Sequence, residues 1–241
     1  MTTSIDMTLP RSPYDERRGR LETYFDRTAL DAWTQLTSDA PVSRIRATVR
    51  AGRDSMRDTL LSWLPQNLNG ASLFDAGCGT GALSVATARR GARVTGVDVS
   101  ASLVQLGGER APKDLGKGSI DFRVGDMLDS SFGAFDYVVA MDSLIHYPSN
   151  DILRVLGAFA SRTNKAILFT FAPRTPALSL MHAAGKLFPR ADRAPAIEPV
   201  SEAVIRRGIA GSQDFAGWSV GRTQRISSGF YKSQALELVR T

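Results

Sequence analysis

Cysteine is almost absent from this chain: Cys78 is the only one among 241 residues. One thiol excludes an intramolecular disulfide and suits a reducing compartment, so a cytoplasmic location is expected. Long apolar runs are missing too. No segment approaches the roughly 18 apolar residues of a membrane span. The run Ala166-Ile167-Leu168-Phe169-Thr170-Phe171-Ala172 makes a buried strand at most. The N-terminus has no apolar signal-peptide core. Internal repeats and low-complexity stretches do not occur, and no metal site is expected.

What is present is an ordinary globular composition, 43% hydrophobic and 22% charged, long enough for one α/β domain with an appendage. The net charge of +6 is unevenly spread. Residues 1–70 carry ten Lys/Arg against nine Asp/Glu, and residues 71–171 carry ten against ten. Residues 172–241 carry ten against five. The excess in the C-terminal third points to an anionic partner there.

The most informative stretch is Leu73-Phe74-Asp75-Ala76-Gly77-Cys78-Gly79-Thr80-Gly81. It reads as the end of a buried strand, an acid, and three glycines at alternate positions. Glycines let the chain turn sharply and let a ligand approach where a Cβ would clash. A second acid, Asp98, ends the next strand about 20 residues on, where it is placed to accept from ribose hydroxyls. The spacing is not the G-x-G-x-x-G of a dinucleotide site. An acid just ahead of the glycines suits a cationic amino-acid tail and repels a pyrophosphate. S-adenosylmethionine carries an ammonium, a sulfonium and no phosphate, and this first motif resembles that of the seven-strand S-adenosylmethionine-dependent methyltransferases. On that basis Asp75 should hold the methionyl ammonium, while Gly77, Gly79 and Gly81 let the tail lie against backbone. Asp98 should take the ribose diol, Asp126 should accept from the adenine amino group, and Met127 should pack on the ring.

Along the chain, residues 1–13 read as a mobile arm. Residues 14–66 read as an N-terminal helical cap of two helices, the first over Tyr14–Leu36. The second opens near Pro41 with the stripe Val42, Ile45, Val49, Met56, Leu60 and Leu64, and Pro65 stops it. Its other face carries Arg44, Arg46, Arg50, Arg53 and Arg57. A cofactor domain then fills 67–241. Strands are expected at Ser72–Asp75, Arg93–Asp98, Ile120–Val124, Phe135–Ala140 and Lys165–Phe171. Helices are expected at Ala82–Arg90, Ser100–Glu109 and Ile152–Ala160. That alternation predicts an α/β, Rossmann-like, doubly wound parallel sheet, with ligands at the carboxyl ends of its strands. Residues 172–211 form a proline-flanked, acceptor-side insert with a short apolar helix, Ala177–Leu187, and a further helix at Ser201–Arg207. Two antiparallel strands, Trp218–Ile226 and Gly229–Val239, close the sheet at seven strands.

Nucleic-acid acceptors are disfavoured despite the sequence pI of about 9.8. Amino-methylating enzymes of DNA and RNA place an Asn/Asp-Pro-Pro-aromatic tetrapeptide after the fourth strand, where this chain has Met141-Asp142-Ser143-Leu144. Cytosine-C5 enzymes need a cysteine nucleophile, and Cys78 lies in the glycine loop. A basic composition alone gives only non-specific phosphate affinity.

Other segments are more specific. Tyr24-Phe25-Asp26-Arg27-Thr28-Ala29, Trp33 and Ile45–Arg53 resemble the N-terminal arm of the magnesium protoporphyrin IX O-methyltransferases. So do Met141–Tyr147, Ala172–Pro176, Gly185–Arg190 and Gly229-Phe230-Tyr231, and the resemblance covers most of residues 20–241. It implies methyl transfer from S-adenosylmethionine to one propionate carboxylate of magnesium protoporphyrin IX, giving the monomethyl ester. It places the protein in (bacterio)chlorophyll synthesis, with magnesium chelatase as a partner and peripheral contact with the photosynthetic membrane. His146 and Tyr24 are then the candidates to hydrogen-bond the reacting carboxylate. Arg174, Lys186, Arg190 and Arg193, with Arg46, Arg50 and Arg53 from the arm, are the candidates to anchor the other propionate. The alternative acceptor is another planar small molecule such as a quinone precursor, which would not need the basic insert.

Overall fold

The computed structural model describes residues 12–28, 43–174 and 196–241. Helix α1 (Pro13–Thr23) starts on a reciprocal cap: Ser12 Oγ accepts from the Asp15 amide, and the Asp15 carboxylate accepts from the Ser12 amide. It runs into a π-helical turn, Tyr24–Thr28. Helix α2 (Arg44–Trp63) follows. The repeating units are β1 (Ser72–Ala76), α3 (Ala82–Arg89), β2 (Arg93–Asp98), α4 (Ala101–Arg110), β3 (Ser119–Val124), β4 (Phe135–Ala140), α5 (Ser149–Ala160) and β5 (Thr163–Phe171). Helix α6 (Glu202–Ala210) and the hairpin β6 (Trp218–Ser228) and β7 (Tyr231–Arg240) complete the chain.

The seven strands lie in the order β3-β2-β1-β4-β5-β7-β6. The first five are parallel and β7 runs antiparallel to both β5 and β6. Strand order reverses between β1 and β4, which opens a crevice at their carboxyl ends.

Alternation along the central strands divides the core between two faces. Phe74, Val138, Ile167 and Phe169 point to one side and meet Ile152, Val155, Leu156 and Phe159 of α5. Their spacing of three and four residues is one helical stripe. Leu73, Val139 and Leu168 point to the other side and meet Met56 and Leu60 of α2. Helix α2 is therefore a layer of the sheet's own core. It also begins later than Pro41: Ser43 caps it, accepting from the Arg46 amide at 3.4 Å. That start leaves Ile45 in its first turn, 57% exposed rather than part of the core stripe. Its end is as expected, because Leu64, preceding Pro65, is forced to extended backbone. The expected helix Ala177–Leu187, and residues 29–36 of the first expected helix, lie outside the described residues.

Candidate active site

The crevice is a cavity of about 600 Å³. On one side the chain leaves β1 through Gly77, Gly79 and Gly81, with φ of 79°, 53° and 77°. Side-chain-bearing residues rarely adopt such angles. A Cβ on Gly77 would lie 2.4 Å from Ser143 Cβ, so the cradle admits only glycine there. The Gly79 amide donates to Asp98 Oδ2 at 2.9 Å, and the Ser100 amide donates to Oδ1 at 3.0 Å. Asp98 thus ties the glycine loop to the start of α4.

Asp75 lies beneath the loop, 2% exposed. Burial pushes its carboxyl up to about 6; the nearby Asp98 charge adds to the rise, while a 2.6 Å hydrogen bond from Ser84 Oγ opposes it. A cation arriving in the cavity would favour the charged form and offset this desolvation. Burial also raises the Asp98 carboxyl, against the pull of its amide donors. Val97, Val99, Leu103, Gly125 and Met127 supply an apolar wall on this side.

Asp126, expected at the adenine, is held by residues of α1. It does not line the cavity. Its carboxylate accepts from Tyr14 Oη at 2.8 Å, Arg18 Nη1 at 2.9 Å and the Leu128 amide at 2.9 Å. It fastens α1 to the turn after β3, and the Tyr14 ring stacks on Tyr147 with centroids 5.3 Å apart. Arg162 holds the same turn from behind, donating to the carbonyls of Met127 and Asp129.

The opposite half of the cavity is basic. Arg50, Arg53 and Arg57 reach it from α2, and Lys232 reaches it from the start of β7. Arg57 pairs with Asp54 at 3.0 Å, and Arg53 pairs with Asp142 at 3.1 Å. His146 and Tyr24 both line it. His146 Nδ1 lies 3.3 Å from the Ala196 carbonyl oxygen, and its ring meets Phe25 edge-on at 6.4 Å. Burial raises the Tyr24 phenol above its usual range, so it stays protonated and able to donate. Arg46 and Arg174 are exposed and off the cavity wall. Lys186, Arg190 and Arg193 lie outside the described residues.

Arg57, Lys232, Asp142 and Ser143 complete the wall without having been singled out in the sequence as site residues. Arg57 shared a basic helix face that looks solvated until the helix is docked. Asp142 stands two residues after β4, the end at which acceptor-side groups project, and its position was the available signal.

The residues fit S-adenosylmethionine. A glycine cradle, a desolvated acid beneath it, a second acid at the end of β2 and an apolar wall match its tail, ammonium, ribose and base in kind. Comparison with known proteins agrees. A family model described as "Magnesium-protoporphyrin IX methyltransferase C-terminus" matches residues 140–240, and a general methyltransferase-domain model matches residues 73–165. The chain is 48% identical over 227 residues to the magnesium-protoporphyrin O-methyltransferase of Rhodobacter capsulatus, covering 94% of this chain and 98% of that one. It is 32% identical over 228 residues to the chloroplastic magnesium protoporphyrin IX methyltransferase of Arabidopsis thaliana, covering 90% and 69%. Among solved structures, magnesium protoporphyrin IX methyltransferase from Synechocystis PCC 6803 with bound S-adenosylhomocysteine superposes with a TM-score of 0.82 at 32% identity, covering 93% of this chain and all of that one. The chain belongs to the magnesium protoporphyrin IX methyltransferase family, within the class I S-adenosylmethionine-dependent methyltransferases.

Proposed function

We propose that this protein transfers the methyl group of S-adenosylmethionine to a propionate carboxylate of magnesium protoporphyrin IX, giving the monomethyl ester in (bacterio)chlorophyll synthesis. One observation carries it beyond family membership: a single cavity joins the glycine cradle to a wall of Arg50, Arg53, Arg57 and Lys232. An uncharged quinone precursor brings no carboxylates for those cations to meet.

When bound, S-adenosylmethionine supplies an electrophilic methyl on a sulfonium. A propionate has a pKa of about 4–5, like glutamate, and is ionised at neutral pH without a general base. The protein's task is alignment and exclusion of water. Asp75 and the three glycines hold the donor's tail, and Asp98 its ribose. Tyr24 and His146 orient the reacting carboxylate, while Phe25 and Ile197 wall the cavity against solvent. The arginines of α2 anchor the acceptor's charge.

The test is a timed assay with methyl-labelled S-adenosylmethionine, offering magnesium protoporphyrin IX and metal-free protoporphyrin IX in parallel. A labelled monomethyl ester is expected from the magnesium form. No ester from either, while cofactor still binds, would remove the porphyrin assignment.

Supply of the porphyrin by magnesium chelatase and peripheral attachment to the photosynthetic membrane belong to the same proposal. No helix of the described residues is long and apolar enough to cross a membrane. Phe230, 61% exposed at the cavity rim, favours a surface contact near the entrance. Sedimentation with anionic vesicles should carry the protein down and should weaken in Phe230→Ser; equal recovery of both in the supernatant would end the membrane part. Pull-down with the chelatase subunits tests the other part, which fails if none is retained.

A further inference from the structure

Asp142 is held in the cavity wall by side chains from several elements, and nothing so far gives it a function. It follows β4 with a φ of 56°, the only positive value on a non-glycine residue among the described residues. Its side chain is 5% exposed. Donors converge on its carboxylate from three elements. Tyr231 Oη of β7 donates at 2.9 Å to Oδ1, and Ser233 Oγ at 3.2 Å to the same oxygen. Thr170 Oγ1 of β5 lies 3.3 Å from Oδ1, and Arg53 Nη1 of α2 donates at 3.1 Å to Oδ2. Gly52 makes this convergence possible, since a Cβ there would lie 2.5 Å from the Tyr231 ring. An asparagine would satisfy the left-handed backbone and could accept from the same hydroxyls. The charge itself therefore needs an explanation, because burying a carboxylate is costly without a matching cation.

The explanation lies in what an unmodified arginine would do to the reaction. A guanidinium paired to a carboxylate binds it strongly and withdraws the electron density that makes it a nucleophile. The acceptor's carboxylate must be attracted to the cavity yet remain reactive. Resting on the methyltransferase reading above, we propose that Asp142 is a positioning residue that tempers Arg53. By neutralising part of its charge and occupying Nη1, Asp142 lets Arg53, first expected at the other propionate, draw in the reacting carboxylate beside Tyr24 and His146 without quenching it.

The proposal predicts opposite movements of the kinetic constants. Asp142→Asn should lower KM for magnesium protoporphyrin IX and lower kcat about tenfold, the size of one charge-assisted hydrogen bond. In an Arg53→Gln background the same change should have no further effect on kcat. Arg53→Gln alone should raise KM about tenfold, with KM the parameter that moves most. A merely structural Asp142 would lower the active fraction and leave KM where it was. An unchanged or higher KM in Asp142→Asn, or a kcat loss that persists without Arg53, overturns the proposal. Should Asp142→Asn fail to bind S-adenosylhomocysteine, Arg53→Gln decides: an unmoved KM overturns it. Absence of ester from the wild-type protein would instead mark failure of the underlying assignment.

Discussion

Affinity for S-adenosylhomocysteine, which keeps the methionyl ammonium, should fall about tenfold for each pH unit below about 6, the value to which burial raises Asp75. Only the ionised carboxylate attracts the ammonium, and one proton must be expelled for binding below that pH. The sign for folding is opposite. The folded pKa lies above the ordinary 3.8, so the protonated acid favours the folded, ligand-free protein. That contribution is complete below 3.8 and disappears as pH rises through about 6. The apo protein should thus gain stability from this group on mild acidification while cofactor affinity drops. Asp75→Asn should bind at least about 100-fold more weakly at neutral pH, the usual cost of removing one partner of a buried ion pair. It should also lose the pH dependence between 4 and 6. Calorimetric titration across that range checks both. Near wild-type affinity in the asparagine variant would remove Asp75 from the ammonium site.

His146→Ala should reduce kcat about 100-fold at saturating cofactor, a loss typical of one misaligned reacting group, with S-adenosylhomocysteine affinity unchanged. The structure adds a condition on how His146 works. Nδ1 faces the Ala196 carbonyl oxygen at 3.3 Å and must carry the proton to hydrogen-bond there. Tyr24→Phe should lose less, because the Tyr24 ring still packs on Phe25 at 5.2 Å. A kcat for His146→Ala within about threefold of wild type, below the range of an orienting group, would make its position incidental.

Much of the fold was legible because strong local signals agree with it. The strands Arg93–Asp98 and Phe135–Ala140 lie where the alternating apolar residues place them. Ser100, expected as a helix cap, accepts from the Leu103 amide. The hairpin turn falls at Gly229, with φ of 55°. The start of α2 was misplaced because the Ser43 hydroxyl accepts from the Arg46 amide and so caps the helix, a contact that the proline signal does not carry.

The cofactor half of the site was written into consecutive residues, since a turn that only glycine can make announces itself by spacing. The acceptor half was not. Even on the cofactor side, the Asp126 carboxylate accepts from Tyr14 and Arg18, residues 112 and 108 positions away, which its local motif does not show. Arg53 and Asp142 lie 89 residues apart and meet only because α2 docks on the face of the sheet that β7 completes. Sequence by itself determined the strand order's raw material, the glycine cradle and its acids, because these depend on backbone conformations that a few neighbouring residues dictate. Tertiary structure decided which arginines face the cavity and that Arg53 pairs with Asp142, because that depends on how distant elements pack, and packing is settled by the whole core at once.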